Sequence, residues 1–212
     1  MKCPIVEILA PARDLATART AISHGADAVY IGAPRFGARH AAGNSIEDIA
    51  HLYGVRVYVT MNTIVYDSEL EDARSMAEQL VAIGVDALIV QDPAYLRMGL
   101  TGVELHASTQ MAIRTPEEAR FWADCGVTRV VLERGMTFEE IKSVCDTGVE
   151  VECFVHGAIC VGYSGRCFLS RSMGPRSGNR GECSQPCRLT WDLVDERGRV
   201  IIAGKHLLSV RD

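Results

Sequence analysis

The stretch from Asp67 to Val90, DSELEDARSMAEQLVAIGVDALIV, decides the fold. Leu70, Ala73, Met76, Ala77, Leu80 and Ile83 fall on one face at helical spacing, and Gly84 marks the stop. Ala87 to Val90 follow as a short unbroken apolar run, the pattern of a strand covered on both faces. A helix that delivers the chain to such a strand is half of a parallel β/α unit.

Working outward, the same alternation recurs along the chain. Ile5 to Leu9 reads as a first strand, followed by a helix that Asp14 caps and Gly25 ends. Ala28 to Ile31 is a second strand, and a Gly-rich connection leads to a helix capped by Asn44 or Ser45, with Glu47 placed for a capping box. Val55 to Thr60, Val103 to His106, Arg129 to Leu132 and Val149 to Val155 supply further strands. Between the later strands, Thr115 to Gly126 and Thr137 to Gly148 are helices with acidic first turns. Seven strands with intervening helices predict a (β/α)₈ TIM-barrel-like domain, incomplete here, with an open doubly wound sheet as the alternative. Thr190 to Val194 and Val200 to Ile202 around Glu196-Arg197-Gly198 predict a short β-hairpin after the seventh strand. The expected division is 1–155 for the barrel core, 156–188 for a Cys- and Arg-rich loop, and 189–212 for the hairpin and the start of a further part. Nothing before Asp212 reads as an eighth strand, so the ring is expected to be closed by other residues or to stay open. Fewer than a dozen residues separate Asn44 from Val55, which is short for a parallel crossover, so a break or deletion is expected between Ala50 and His51.

The chain has 212 residues, 48% of them hydrophobic, and a formal net charge of −5. At this length a domain buries roughly 70% of its unfolded surface and needs no disulfide staples, so the eight cysteines call for another explanation. The first residues suggest neither a secretion signal nor an anchor, and no run of 18 apolar residues occurs, so the expectation is a cytoplasmic protein without membrane contact. The acidic balance argues against a generally basic nucleic-acid coat but allows a local basic patch.

Four cysteines sit between His156 and Arg188 as C-x6-C-x15-C-x3-C: Cys160, Cys167, Cys183 and Cys187. An iron–sulfur cluster, a zinc ion, two disulfides or free thiols are all compatible with four thiols in a Gly-, Ser- and Arg-rich loop. Only Cys183 and Cys187 resemble a zinc knuckle, so the spacing leans toward a cluster. Cys3, Cys125, Cys145 and Cys153 read as ordinary buried thiols. The same loop carries Arg166, Arg171, Arg176, Arg180 and Arg188 against a single acid, Glu182, and reads either as an RNA phosphate contact surface or as a solvated loop balancing cluster charge.

In a parallel barrel the strand C-termini carry the site. Asn62, Gln91, Asp92, Ser108, Gln110, Glu133, Arg134 and His156 fall in that register, with His156, Ser108 and Gln110 the candidates for catalytic or substrate contacts. Each could equally be a cap or turn residue. There is no H-E-x-x-H, no P-loop and no G-x-G-x-x-G after the first strand, and Gly162-Tyr163-Ser164-Gly165 misses the nucleophile elbow by one residue.

Several segments carry a resemblance: EILAPA (Glu7 to Ala12), GADAVYIG (Gly25 to Gly32), VYVTMNT (Val57 to Thr63), DALIVQDP (Asp86 to Pro93), HASTQ (His106 to Gln110) and ECFVHGAICVGYSGRCFLS (Glu152 to Ser170). On these the chain resembles the collagenase-like peptidases of family U32 over its whole length. GARHAAGN (Gly37 to Asn44), VELHASTQ (Val103 to Gln110) and RSGNRGECSQPCRLTWDLVDERGRVI (Arg176 to Ile201) are most similar to members that form 5-hydroxycytidine in large-subunit ribosomal RNA. The resemblance implies a barrel-like domain and an oxygen-labile 4Fe-4S cluster on Cys160, Cys167, Cys183 and Cys187. It further implies an RNA hydroxylase with prephenate as co-substrate. The last cysteine is the ligand that some relatives replace. The alternatives are tRNA wobble-uridine hydroxylation, a collagenase-like peptidase for which Cys160 and His156 are the one nucleophile-and-base pair on offer, and a non-catalytic module that holds a cluster.

Overall fold

A computed structural model describes residues 6–38, 43–52 and 54–209. Seven parallel strands lie in sequence order: β1 (Leu9–Ala12), β2 (Ala28–Gly32), β3 (Arg56–Met61), β4 (Ala87–Val90), β5 (Glu104–Ala107), β6 (Arg129–Val131) and β7 (Glu150–Glu152). The connecting helices are α1 (Leu15–Ser23), α2 (Ile46–Ala50), α3 (Leu70–Ala82), α4 (Ala94–Arg97), α5 (Pro116–Asp124) and α6 (Phe138–Cys145). The sheet curls as a half-barrel, and an antiparallel hairpin of β8 (Trp191–Val194) and β9 (Val200–Lys205) follows.

Local chemistry sets the helix starts. Asp14 caps α1 by accepting from the Thr17 N–H at 2.8 Å, while Thr115 with Glu118 and Thr137 with Glu140 form complete capping boxes on α5 and α6. Along α3, Ala73, Ala77 and Leu80 are fully buried, which is the helical face expected from the sequence. The main core lies outside the sheet, where Val29, Ile31, Val57, Val59, Leu88 and Val90 meet α1 to α3. Ala107, Val130 and Leu132 do the same against α5 and α6.

Several expectations need correction. The first strand is Leu9–Ala12, four residues beyond the predicted start, and Ile5 lies outside the described residues. Ser45 caps α2 by accepting from the Asp48 N–H at 3.0 Å, so Glu47 forms no capping box. Asn44 instead turns its amide inward to the carbonyl of Arg13. No break separates Ala50 from His51: His51 is the C-cap of α2 and its N–H reaches the Asp48 carbonyl. A five-residue helix is enough for this crossover. The seventh strand is shorter than predicted, ending at Glu152. Cys125 and Cys145 are exposed rather than buried because they sit at helix C-termini; Cys153 is half-buried and Cys3 lies outside the described residues.

The inward face of the half-barrel is polar toward its lower end. Arg129 on β6, only 6% exposed, reaches Glu7 just before β1 at 2.9 Å and Glu150 on β7, with Glu152 3.6 Å away. Glu7 also accepts from Tyr58 and pairs with Arg56. One guanidinium thus ties the first strand to the last two.

Candidate functional site

The C-terminal ends of the strands present a connected set of polar groups. Asn62, after β3, donates to Ser108 Oγ at 2.9 Å, and its own oxygen accepts from the Ala38 N–H at 2.8 Å. Asp92, after β4, accepts from the Val65 and Ala94 N–H groups. Ser108 is buried and caps the 3₁₀ turn Thr109–Met111 by accepting from the Gln110 N–H at 3.1 Å. Its hydroxyl therefore organises the strand end. Gln110 presents its carbonyl to Gln91 Nε2 at 3.2 Å, while Gln91 Oε1 is buried without a partner.

The cysteine loop is seated on this surface through Ser164. Glu133, at the end of β6 and 6% exposed, accepts from the Ser164 N–H at 3.0 Å and from the Arg134 N–H at 3.0 Å. Arg134 donates to Ser164 Oγ at 3.0 Å and to the Ala158 carbonyl. Next to Ser164, Gly165 has φ +71°, and a Cβ there would stand 1.8 Å from the Gln110 carbonyl oxygen. Only glycine allows that approach. With its amide turned to donate, Asn179 reaches the carbonyls of Gly165 and Cys167 at 3.3 Å. Neither Glu133, Ser164 nor Asn179 stood out as a docking group in the sequence, although a carboxylate directly after the apolar run of β6 was the available signal.

All four loop cysteines are free, Cys160 and Cys183 exposed and Cys167 and Cys187 half-buried. Burial pushes the Cys187 thiol up, and the neighbouring Cys160, Cys183 and Cys167 add to the rise against the opposing pull of Arg188. The buried hydroxyl of Ser170, on the short helix α7 (Leu169–Met173), accepts from the Ser184 N–H at 3.1 Å and donates to Cys183 Sγ at 3.8 Å. Among the described residues, no three His, Cys, Asp or Glu side chains gather tightly enough for a single metal ion. Zinc would draw its sulfurs to about 2.3 Å from one centre. Four thiols are also the donor set of a four-iron cluster, in which each sulfur binds a separate iron.

The other site residues divide. His156 is exposed and makes no hydrogen bond with Cys160 or any other described group. Arg180 is held inside the fold, donating to both oxygens of Glu69 at 2.8 and 2.6 Å and to the Ile64 carbonyl, with Tyr66 under its guanidinium. It is a latch between the loop and the start of α3, not a free cation. Arg166, Arg171, Arg176 and Arg188 are exposed. Arg171, Arg176 and Arg188 reach loop carbonyls, and Arg166 lies 4.0 Å from Glu118.

Fold and site together define a parallel α/β half-barrel that carries a four-thiol loop on its strand ends. The chain belongs to Peptidase family U32, whose family model matches residues 13–212. It is 52% identical over 98% of its length to a 23S rRNA 5-hydroxycytidine synthase of Escherichia coli, of which it covers 33%. It is 38% identical over 93% of its length to tRNA hydroxylation protein P1 of Bacillus subtilis, covering 49%, and 31% identical over 97% to a collagenase of Porphyromonas gingivalis, covering 55%. The chain thus spans between a third and about half of these relatives. A solved U32 peptidase superposes with a TM-score of 0.58 at 17% identity, over 72% of this chain and 69% of that one, which supports the fold.

Proposed function

We propose that this chain is the barrel and thiol-loop portion of an iron–sulfur-dependent RNA hydroxylase that forms 5-hydroxycytidine in large-subunit ribosomal RNA. The observation that carries the reading is the four-thiol loop fixed over the strand ends by Glu133, Ser164 and Gly165. The 52% identity to the ribosomal RNA enzyme supports the substrate. Cys160, Cys167, Cys183 and Cys187 would hold a 4Fe-4S cluster, which supplies electron transfer beside the substrate when bound. Prephenate is the co-substrate that the family resemblance implies for such a reaction.

The chain's own residues fix the loop and furnish polar contacts. Glu133 and Arg134 hold Ser164, and Gln91, beside Gly165, keeps a buried side-chain oxygen without a partner that suits an N–H donor. Arg166, Arg171, Arg176 and Arg188 supply positive charge for phosphates. The peptidase reading gains no support, because His156 and Cys160 make no nucleophile-and-base hydrogen bond. A protein of this kind would work in the cytoplasm, where ribosomal RNA and a reducing environment coincide, and no helix among the described residues is long and apolar enough to cross a membrane.

Mass mapping of ribosomal RNA from a strain lacking the complete protein tests the proposal. Loss of 5-hydroxycytidine, restored by the wild-type gene and not by a Cys183→Ser copy, is the result expected. An unchanged level would overturn it, and loss of a tRNA wobble modification instead would move the substrate to tRNA.

A further inference from the structure

Tyr163 lies between Cys160 and Cys167 and is 55% exposed, although its neighbours are fixed. Ser164 is buried against Glu133, and Gly165 is wedged on the Gln110 carbonyl. On the other side, the Cβ position of Gly162 lies 3.5 Å from Cys167 Cβ, so the chain entering Tyr163 packs against one of the four thiol residues. A ring anchored from both directions but left in solvent forgoes the burial that usually stabilises an aromatic side chain.

The Arg114 guanidinium sits 5.0 Å from the Tyr163 ring centroid. Arg114 is itself held, its N–H donating to Glu118 at 2.8 Å and its guanidinium 3.7 Å from Glu140. With one face of the ring taken by this cation, the exposure of Tyr163 belongs to the opposite face and the edge. A rigid ring backed by arginine is the arrangement that receives a flat, unstacked partner.

We propose that Tyr163, backed by Arg114, is the stacking platform for an unpaired nucleobase of the RNA substrate, holding that base beside the thiol loop. The inference rests on the RNA reading above and names a contact within it. Enzymes that act on a base must take it out of the stack, and a single ring next to the reacting centre offsets part of that cost. Stacking tolerates any base, so the platform positions the nucleotide while base identity is read elsewhere.

The test uses the complete protein and a single-stranded RNA oligonucleotide carrying one 2-aminopurine, followed by fluorescence across a salt series. Wild type should bind with quenching. Tyr163→Leu, which keeps an apolar side chain of similar reach, should raise Kd by at least about fivefold and lose the quenching. Its slope of log Kd against log salt should stay that of wild type, since no phosphate contact is removed. Tyr163→Phe and Tyr163→Trp should bind and quench like wild type. Leucine binding and quenching as wild type does, or phenylalanine failing as badly as leucine, would overturn the platform while leaving RNA binding in place. Absence of binding by wild type itself is a separate result, and it would sink the RNA reading together with this contact.

Discussion

Arg129 shows how much a single side chain decides in this molecule. It is buried at the inner face of the half-barrel with Glu7, Glu150 and Glu152 around it. Removing one partner of a buried ion network leaves the others uncompensated, at a cost of about 3–5 kcal/mol. Arg129→Met should therefore lower the unfolding free energy from denaturant titration by that amount without changing the helices, and a loss below about 1 kcal/mol would show that the clasp is solvated. Glu152 belongs to the same group, its carboxyl pushed up to about 6 by burial against the opposing pull of Arg129. Because the folded state holds this proton more tightly than the unfolded chain, the contribution of Glu152 is favourable below about pH 4.5 and is lost as pH rises through about 6. The difference amounts to about 2 kcal/mol. Thermal melts of wild type and Glu152→Gln across pH 4.5 to 7 should show wild type losing stability relative to the glutamine variant as pH rises, and parallel curves would contradict this. Sequence reading found Glu133 and Arg134 at a strand end but not this interior network. Arg129 was hidden because an arginine opening a strand looks like a solvent-facing edge until the register brings Glu7 and Glu150 to it.

The elements were largely legible because each carries its own signal. Capping boxes at Thr115 and Thr137 and the buried face of α3 follow from local spacing alone. The crossover through α2 was misread because its helix is only five residues long and ends in an ordinary capped turn at His51. The loop from His156 to Arg188 was legible as a thiol site, whereas its docking was not, since it depends on contacts between residues far apart in sequence. Two changes test that docking. Gly165→Ala places a methyl group against the Gln110 carbonyl at a positive φ, and limited proteolysis should then cut the loop several-fold faster. Arg180→Ala removes the pair with Glu69, only 21–23% exposed on both sides, and should loosen the same loop. Unchanged cleavage in both variants would mean that neither contact holds the loop in place.

At the scale of the molecule, an open half-barrel presents its strand ends, the thiol loop and an exposed apolar hairpin together. Leu193, Val194, Val200 and Ile201 on that hairpin remain solvent-exposed in this span of a longer family. The parallel order of the seven strands was readable from the alternation of apolar runs and helices, while the Arg129 clasp that spans the curled sheet was not. The central claim, however, concerns the four cysteines. Anaerobic purification of the complete protein followed by iron and acid-labile sulfide assay addresses it most directly. The account predicts about four irons and four sulfides per chain, lost in Cys183→Ser; one equivalent of zinc without sulfide would contradict it.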